Sequence, residues 1–491
     1  MMRIVIGIDI GTSAVKALLL DEEQRVLAEA EAPLVTTRPH PLWSEQQAEQ
    51  WWQAMLVTLA SLRAAAPDAY RRVAGIGLSG QMHGAVLLDK AGAPLRPAIL
   101  WNDGRSHAEC AEIERRVPGL GRIAGVPAMP GFTAPKLLWL KRHEGNLIAR
   151  LAHVLLPKDY IRFRLTGDVV TDLSDAAGSL WLDQARRAWS PEILAATEVD
   201  SAVLPRLVEG SDVAGRLTDA MADSLGLPRG VLLAGGAGDA AAGGIGIGAV
   251  NEGDAFISLG TSGQLFVVTE NYRPFPEALV HAFAHALPRR WYQMAAMLNG
   301  ASALAFAAKL VGADDIGRLL AEVEAAPRTS PDLLFLPYLA GERTPHNDPY
   351  ARGVFFGLDP ATDRAALIRA VLEGVAFSFV DARDALQAAG TRPQRLGAIG
   401  GGARSRFWMQ VFADVLGIPI VTYEGGAKGP AFGAARLAIL ALTGAAPREI
   451  CRPPPISAVF EPDPGRHDAY AGKVERFRRL YRAVRDEFRA A

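Results

Sequence analysis

Ile4-Val5-Ile6-Gly7-Ile8-Asp9-Ile10-Gly11-Thr12-Ser13 stands at the head of the chain, and Ala255-Phe256-Ile257-Ser258-Leu259-Gly260-Thr261-Ser262-Gly263 repeats its plan in the second half. Each is an apolar run of strand character that ends at once in Gly-Thr-Ser. Glycine lets the chain turn tightly there, so that backbone N–H groups and hydroxyls converge on one point, which suits a phosphate oxygen. A single such loop reads as an ordinary hairpin turn. Two copies, both at strand ends and one directly after Asp9, point instead to one polyphosphate held between two halves. Asp9 adds to this, because a carboxylate is disfavoured in an apolar strand and costly to bury alone. Its expected partner is a cation or a metal ion.

The surrounding patterns extend both loops into domains. Ile4–Ile10, residues 14–20 and Val26–Pro33 predict a β-meander, echoed by Ala255–Leu259 and residues 264–269. Ser44-Glu45-Gln46-Gln47 has capping-box spacing, and Trp51, Met55 and Leu59 follow at intervals of four, so a helix is expected over residues 45–65. A strand over residues 73–78 delivers Gln81-Met82-His83-Gly84 at its C-terminal end, where open α/β sheets place their ligands. Residues 119–135, rich in Gly and Pro, are expected to be irregular. Asp239 lies between Gly238 and Ala240, ahead of a small-residue helix, so no bulky neighbour shields its carboxylate. A helix N-cap is its bland reading; close approach by a ligand is the functional one.

Asn251-Glu252-Gly253 is a turn cluster, and it divides the chain into domains at residues 1–247 and 248–491. Farther on come a helix over residues 365–386, the strand Leu396–Ile399 running into Gly400-Gly401-Gly402-Ala403, and a second glycine loop over residues 425–430. The apolar stripe Tyr470, Val474, Phe477, Tyr481, Val484 and Phe488 is read as a face packed on its own domain in preference to a dimer zipper, although a homodimer stays among the expected partners.

At 491 residues the chain is long enough for two cores. Apolar residues make up 49% and charged residues 21%, as in ordinary soluble proteins. A formal net charge of −1 supplies no field for nucleic acid or an anionic membrane, and neither is an expected partner. Cys110 and Cys451 belong to no Cys-x-x-Cys or Cys/His cluster, which argues against a disulfide framework and a zinc site. Met1-Met2-Arg3-Ile4 runs straight into the first strand, so a cytoplasmic location is expected. There is no Gly-x-x-x-x-Gly-Lys-Ser/Thr loop and no protein-kinase motif set, which excludes both of those phosphate-binding designs.

Several longer segments carry a resemblance. They are Gly7–Ser13, Gly80-Gln81-Met82-His83-Gly84, Leu100-Trp101-Asn102-Asp103-Gly104-Arg105, the stretch of residues 131–143, Leu155-Leu156-Pro157-Lys158-Asp159-Tyr160 and Gly341-Glu342-Arg343-Thr344-Pro345-His346. Along essentially its whole length the chain resembles the FGGY carbohydrate kinases, and within them the branch acting on xylulose. That resemblance implies an α/β fold of two actin-like (ribonuclease H-like) domains with a central cleft. It implies ATP-dependent phosphorylation of D-xylulose, with Mg2+, the sugar mainly on the first domain and ATP mainly on the second. By the same resemblance Asp239 is the general base, and Asp9 and Asp239 meet the metal. Gln81, Met82, His83, Trp101, Asn102 and Asp103 surround the sugar. Gly11, Thr12, Ser13, Gly260, Thr261, Ser262 and the Gly400-Gly401-Gly402-Ala403 loop serve ATP. The chain departs from the family at Ala240, where an asparagine is usual, which removes an amide that could bond the sugar. Glu342 and Arg343 read equally as a phosphate contact or an ion pair and are left outside the site. Ribulose, gluconate or glycerol is the alternative substrate within the family. An actin- or Hsp70-like nucleotide-driven binding module is the alternative class.

Overall fold

The computed structural model describes residues 3–327, 329–424 and 428–490. Two mixed sheets carry the fold. In the first, Ile4–Ile10, Ala14–Asp21 and Val26–Pro33 form an antiparallel meander. Val73–Gly80 joins Ile4–Ile10 in parallel, Leu232–Ala234 follows it, and Val213–Arg216 closes the edge antiparallel. In the second sheet Ala255–Leu259, Gly263–Thr269 and Trp291–Met297 form the meander, and Leu396–Ile399 and Ile420–Tyr423 are the parallel additions. His281–Ala284 and Ile456–Phe460 close its two edges. Strand order is therefore the same around both Gly-Thr-Ser loops, which is the α/β, actin-like pair expected.

Alternation along the first strand decides what each face does. Ile4, Ile6, Ile8 and Ile10 are buried with Trp51, Met55 and Leu59 of the helix Ala48–Ala65. The intervening Val5, Gly7 and Asp9 face the other way, because side chains alternate across a strand. A Cβ on Gly7 would lie 1.9 Å from the Ala431 carbonyl oxygen, and one on Gly77 of the next strand 1.8 Å from that of Ala434. The helix Gly429–Thr443 therefore rests directly on the first sheet, although it comes from the second half of the sequence. It also packs on the helix Asp239–Ile247, so two small-residue helices cross where the halves meet.

Three local expectations change. The first helix begins at Ala48, and Glu45–Gln46 is instead a short strand paired with Ala98–Ile99. Tertiary bonds override the capping-box pattern: Glu45 is ion-paired to Arg96 and Arg105, and Gln46 binds the Thr12 carbonyl. Gln47 is the N-cap and makes no side-chain cap bond. Residues 119–135 are not wholly irregular, since they hold the helix Leu120–Ala124 and the start of Thr133–His143. Pro135 falls in the first turn of the latter, where its missing N–H has no intrahelical role. Gly425, Gly426 and Ala427 of the second glycine loop lie outside the described residues.

The C-terminal stripe packs on its own half. Tyr470, Val474, Phe477, Leu480 and Tyr481 of the helix Pro464–Val484 are buried in the second core. Cys110 and Cys451 are both buried and free. Among the described residues no helix is long and apolar enough to cross a membrane.

Candidate active site

Two carboxylates meet between the halves. Asp9 sits at the end of the first strand, paired in register with Lys16 on one side and Ser79 on the other. Its Oδ1 accepts from Ser79 Oγ at 2.8 Å. Burial pushes its pKa up to about 6, opposed by the Ser79 bond and by Lys16. Asp239 is the first residue of the small-residue helix, and its Oδ1 accepts from the Ala240 N–H at 2.8 Å. Burial pushes Asp239 up to about 7, with the charge of Asp9 adding to the rise. The N-cap of this helix is Gly238, with no side-chain cap bond, so Asp239 does not cap it; one of its oxygens is used locally and Oδ2 has no hydrogen-bond partner among the described residues. Two hard carboxylates, each with an oxygen to spare and no histidine or thiol among them, fit Mg2+, which takes one or two carboxylates and fills its remaining positions with water and phosphate. Among the described residues no group of three or more His, Cys, Asp or Glu side chains is arranged to hold a metal ion, so any further ligands would come from solvent and substrate.

Residues expected around the sugar divide into two groups. Met82 and His83 stay with Asp239: a Cβ on Gly238 would lie 2.8 Å from Met82 Cγ. His83 takes a φ of +70°, uncommon for a residue with a side chain, and its Nδ1 is 2.7 Å from the Gly178 carbonyl. Thr133 Oγ1 and Lys136 Nζ both donate to the His83 carbonyl, at 3.1 and 2.9 Å, which fixes this backbone. Burial pulls the imidazole down to about 3; the Gly178 bond opposes this, while Lys136 and Arg343 add to it, so the ring is neutral.

Gln81, Trp101 and Asp103 instead brace the neighbouring backbone. Thr12 Oγ1 donates to Gln81 Oε1 and accepts from Trp101 Nε1, both at 3.0 Å. Gln81 Nε2 donates to Gln46 Oε1 at 2.9 Å. The Asp103 carboxylate is taken by Arg105 and by the Ser44 N–H, the last at 2.7 Å. Asn102 is exposed and lines a separate surface hollow with the loop from Arg38 to Ser44. In this structure the polar atoms of Gln81, Trp101 and Asp103 are held by protein partners, and Asn102 is exposed.

The second loop borders a cleft of about 880 Å³. Gly260 and Thr261 line it together with Gly401 and Gly402, and Ile316, Leu320 and Phe407 supply an apolar wall that the sequence motifs did not mark. Gly400 has φ +89°, and a Cβ there would lie 2.7 Å from the Leu259 carbonyl carbon, so only glycine lets the two loops approach. Ser262 is held against Gly300, and Ala403 closes the turn by donating its N–H to the Gly400 carbonyl at 3.2 Å. In the first loop Gly11 N donates to the Ala14 carbonyl, and the Ser13 carbonyl accepts from Leu34 N.

A buried ion network lies beneath Asp239. Lys158 Nζ contacts Asp159 at 2.6 Å, Asp172 at 2.8 Å and Asp175 at 3.3 Å, and Arg162 contacts Asp159 at 2.6 Å. Arg162 also donates to the Ala234 and Gly235 carbonyls, and Ser174 Oγ, bound to Asp172, accepts from the Gly238 N–H at 3.2 Å. The strand end and turn that carry Asp239 are thus tied to five charged side chains. Lys158 and Asp159 stand within a segment that carries the family resemblance; Arg162, Asp172, Ser174 and Asp175 have no local sequence signal.

Comparison with known proteins gives a consistent result. The model of the N-terminal domain of the FGGY family of carbohydrate kinases matches residues 4–246, and that of its C-terminal domain matches residues 255–442. The chain is 48% identical over 477 residues to a xylulose kinase from Klebsiella pneumoniae, covering 97% of this chain and 98% of that one. A crystal structure from Brucella ovis, described as a xyloylose kinase, superposes with a TM-score of 0.95 at 49% identity, covering 98% and 99% of the two chains. A gluconate kinase structure from Lactobacillus acidophilus gives a TM-score of 0.93 at 26% identity, covering 99% of each.

Proposed function

Because the chain belongs to the FGGY family of carbohydrate kinases, we propose that it transfers the terminal phosphoryl group of ATP to the 5-hydroxyl of D-xylulose. The xylulose kinase at 48% identity over nearly the full length supports the substrate, and the Met82-His83 segment, with Met82 against Gly238 next to Asp239, is placed to meet it. We place the protein in the cytoplasm, where ATP is available.

The observation that carries the chemistry is the Asp9–Asp239 pair. A sugar hydroxyl has a pKa far above neutrality, so its proton must leave as the new bond to phosphorus forms. Asp239, raised to about 7, suits the acceptance of that proton, being ionised enough to take it and basic enough to hold it. Burial and Asp9 supply the shift, so the geometry that makes the pair costly to ionise also makes it useful. Mg2+ held by Asp9 and the nucleotide phosphates would neutralise charge on the transferring group. Gly260 and Thr261 at the cleft, with Gly401 and Gly402 opposite, offer backbone N–H groups for the phosphates, and the wall of Ile316, Leu320 and Phe407 suits an adenine ring. The first loop serves the same polyphosphate less directly, since the Thr12 hydroxyl is occupied by Gln81 and Trp101.

A coupled assay for ADP release across D-xylulose, ribulose, gluconate, glycerol and xylitol tests this reading. The largest kcat/KM is expected with D-xylulose. A larger value with gluconate or glycerol would overturn the substrate, and ATP turnover indifferent to every sugar would overturn the class.

A further inference from the structure

Gly341-Glu342-Arg343-Thr344 runs along the exit of the strand Trp291–Met297, joined to it by side chains as well as backbone. Thr344 N donates to the Ala296 carbonyl and Thr344 Oγ1 accepts from the Ala296 N–H, both at 3.2 Å. Glu342 Oε1 accepts from the N–H groups of Leu298 and Arg343, at 2.9 and 2.7 Å. Asn299 Nδ2 donates to the Gly341 carbonyl at 2.9 Å. Glu342 and Asn299 are each 2% exposed, so these bonds are shielded from water. Burial pushes the Glu342 carboxyl up to about 8, with its two backbone bonds and Arg343 opposing, so the group is neutral at pH 7.

The segment held in this way grips the second Gly-Thr-Ser loop. Gly300 N donates to the Thr261 carbonyl at 2.9 Å, and Ala301 N donates to the Gly260 carbonyl at 2.7 Å. Ser302 Oγ donates to the same Thr261 carbonyl at 2.6 Å. A Cβ on Gly300 would lie 2.5 Å from the Ser262 carbonyl oxygen, so main chain meets main chain here. In a trans peptide the C=O and the N–H point in opposite directions. Anchoring the Gly260 and Thr261 carbonyls therefore fixes the directions of the Thr261 and Ser262 N–H groups, and neither of these has an acceptor among the described residues. Consecutive free N–H groups of fixed direction make a cradle for an anionic oxygen. Gly260, Thr261, Ala301 and Ser302 all border the cleft of about 880 Å³.

We infer that Glu342, together with Asn299, is a positioning residue for the nucleotide phosphates: it holds residues 298–300, which in turn aim the Thr261 and Ser262 N–H groups. The inference rests on the kinase reading above and deepens it. A phosphate contact and an ion pair were the two expectations for Glu342; its carboxyl instead acts through the backbone that it holds.

Equilibrium titration of the full chain with ADP plus Mg2+, and separately with adenosine, tests this in the parent, Glu342→Leu, Glu342→Gln and Asn299→Ala. Adenosine lacks phosphates and reports the apolar wall alone, so the ratio of the two affinities isolates the loop. A hydrogen bond to a charged group is worth roughly ten- to hundredfold in affinity, so Glu342→Leu should weaken ADP by at least about tenfold. Adenosine affinity and the D-xylulose KM should hold within about twofold, since neither depends on the loop. Glu342→Gln, whose amide oxygen can take the same two N–H groups, should restore ADP binding to within about threefold of the parent. Asn299→Ala removes one neutral bond from the same segment and should weaken ADP by about three- to tenfold; it carries the test if Glu342→Leu does not fold. Unchanged ADP affinity in Glu342→Leu, or in Asn299→Ala where that variant carries the test, overturns the inference. Equal weakening of ADP and adenosine overturns it too, by marking a general structural role. Glu342→Gln as weak as Glu342→Leu also overturns it, because the acceptor would then not be what matters. A parent that binds ADP no better than adenosine overturns the phosphate reading of the loop itself, and is told apart by needing no variant.

Discussion

Gly433 lies directly on the backbone of Ala242: a Cβ at Gly433 would stand 1.8 Å from the Ala242 carbonyl oxygen and 3.1 Å from the Gly246 nitrogen. The helices Gly429–Thr443 and Asp239–Ile247 therefore touch main chain to main chain, and the second of them begins with the proposed base. Gly433→Ala must push the two helices apart, because the obstructing atoms are backbone. Overpacking of this kind costs about 1–3 kcal/mol, which denaturant unfolding would register. Since the displaced helix carries Asp239, kcat should fall along with stability, and a variant of parental stability would show that the helices separate freely.

Asp239→Asn should lower kcat by about two orders of magnitude or more while leaving the ATP KM nearly unchanged, as expected for loss of a general base. The pH profile follows from the raised pKa. The base works only when ionised, so kcat/KM should fall as pH drops through the Asp239 pKa, which is about 7 in the metal-free protein. Asp9 contributes to that elevation, and Asp9→Asn should move the Asp239 titration to lower pH. Mg2+ favours ionised carboxylates and should move it the same way in the parent. Titration of the Asp239 carboxyl carbon by NMR, with and without Mg2+, reads both shifts; an upward move in either case would contradict the pairing.

Much of this site is written locally. Both Gly-Thr-Ser loops, the strand end before Gln81 and the glycine-flanked Asp239 depend on a few consecutive residues, so strand and turn chemistry alone located them. The duties of Gln81, Trp101 and Asp103 depend on Thr12 and Ser44, which stand 69, 89 and 59 positions away respectively, and no local pattern encodes such partners. The same applies to the first helix, whose expected start at Glu45 gives way to ion pairs with Arg96 and Arg105. The seat of the helix Gly429–Thr443 on the first sheet is hidden for a related reason: glycines at 7, 77 and 433 are weak signals singly and acquire meaning only when they face one another.

Lys158 is the shared counter-ion of Asp159, Asp172 and Asp175, and all four side chains are fully buried. Lys158→Met removes that positive charge and leaves the carboxylates with Arg162 alone. Breaking a buried network on one side typically costs about 3–5 kcal/mol, because the remaining charges stay desolvated. Chemical denaturation should show a loss of that size. Ser174 links Asp172 to the Gly238 N–H, so kcat should drop under conditions where the variant is still folded. Parental stability would mean that water enters to solvate the carboxylates.

His285 makes stability depend on pH in a direction that can be worked out. Its Nδ1 accepts from the Leu287 N–H at 3.2 Å and the ring is buried among Phe266 and Tyr292. Burial pulls its pKa down to about 3; Arg187 and Arg290 add to the depression, and a backbone bond at Ala249 opposes it. The folded protein therefore keeps this imidazole neutral between its folded and unfolded pKa values, whereas the unfolded chain, near 6.5, takes up a proton. Stability from this residue is complete above about pH 6.5 and is lost as pH falls through that window, at about 1.4 kcal/mol per unit. Asp9, Asp239 and Glu342, whose folded pKa values are raised, bind protons in the folded state and tilt the total the opposite way. The difference between parent and His285→Asn isolates the histidine, because the amide oxygen can still accept from Leu287. Between about pH 8 and about pH 5 the parent should lose about 2 kcal/mol more than the variant. Parallel pH curves for the two proteins would show that His285 is protonated, or solvated, in the folded state.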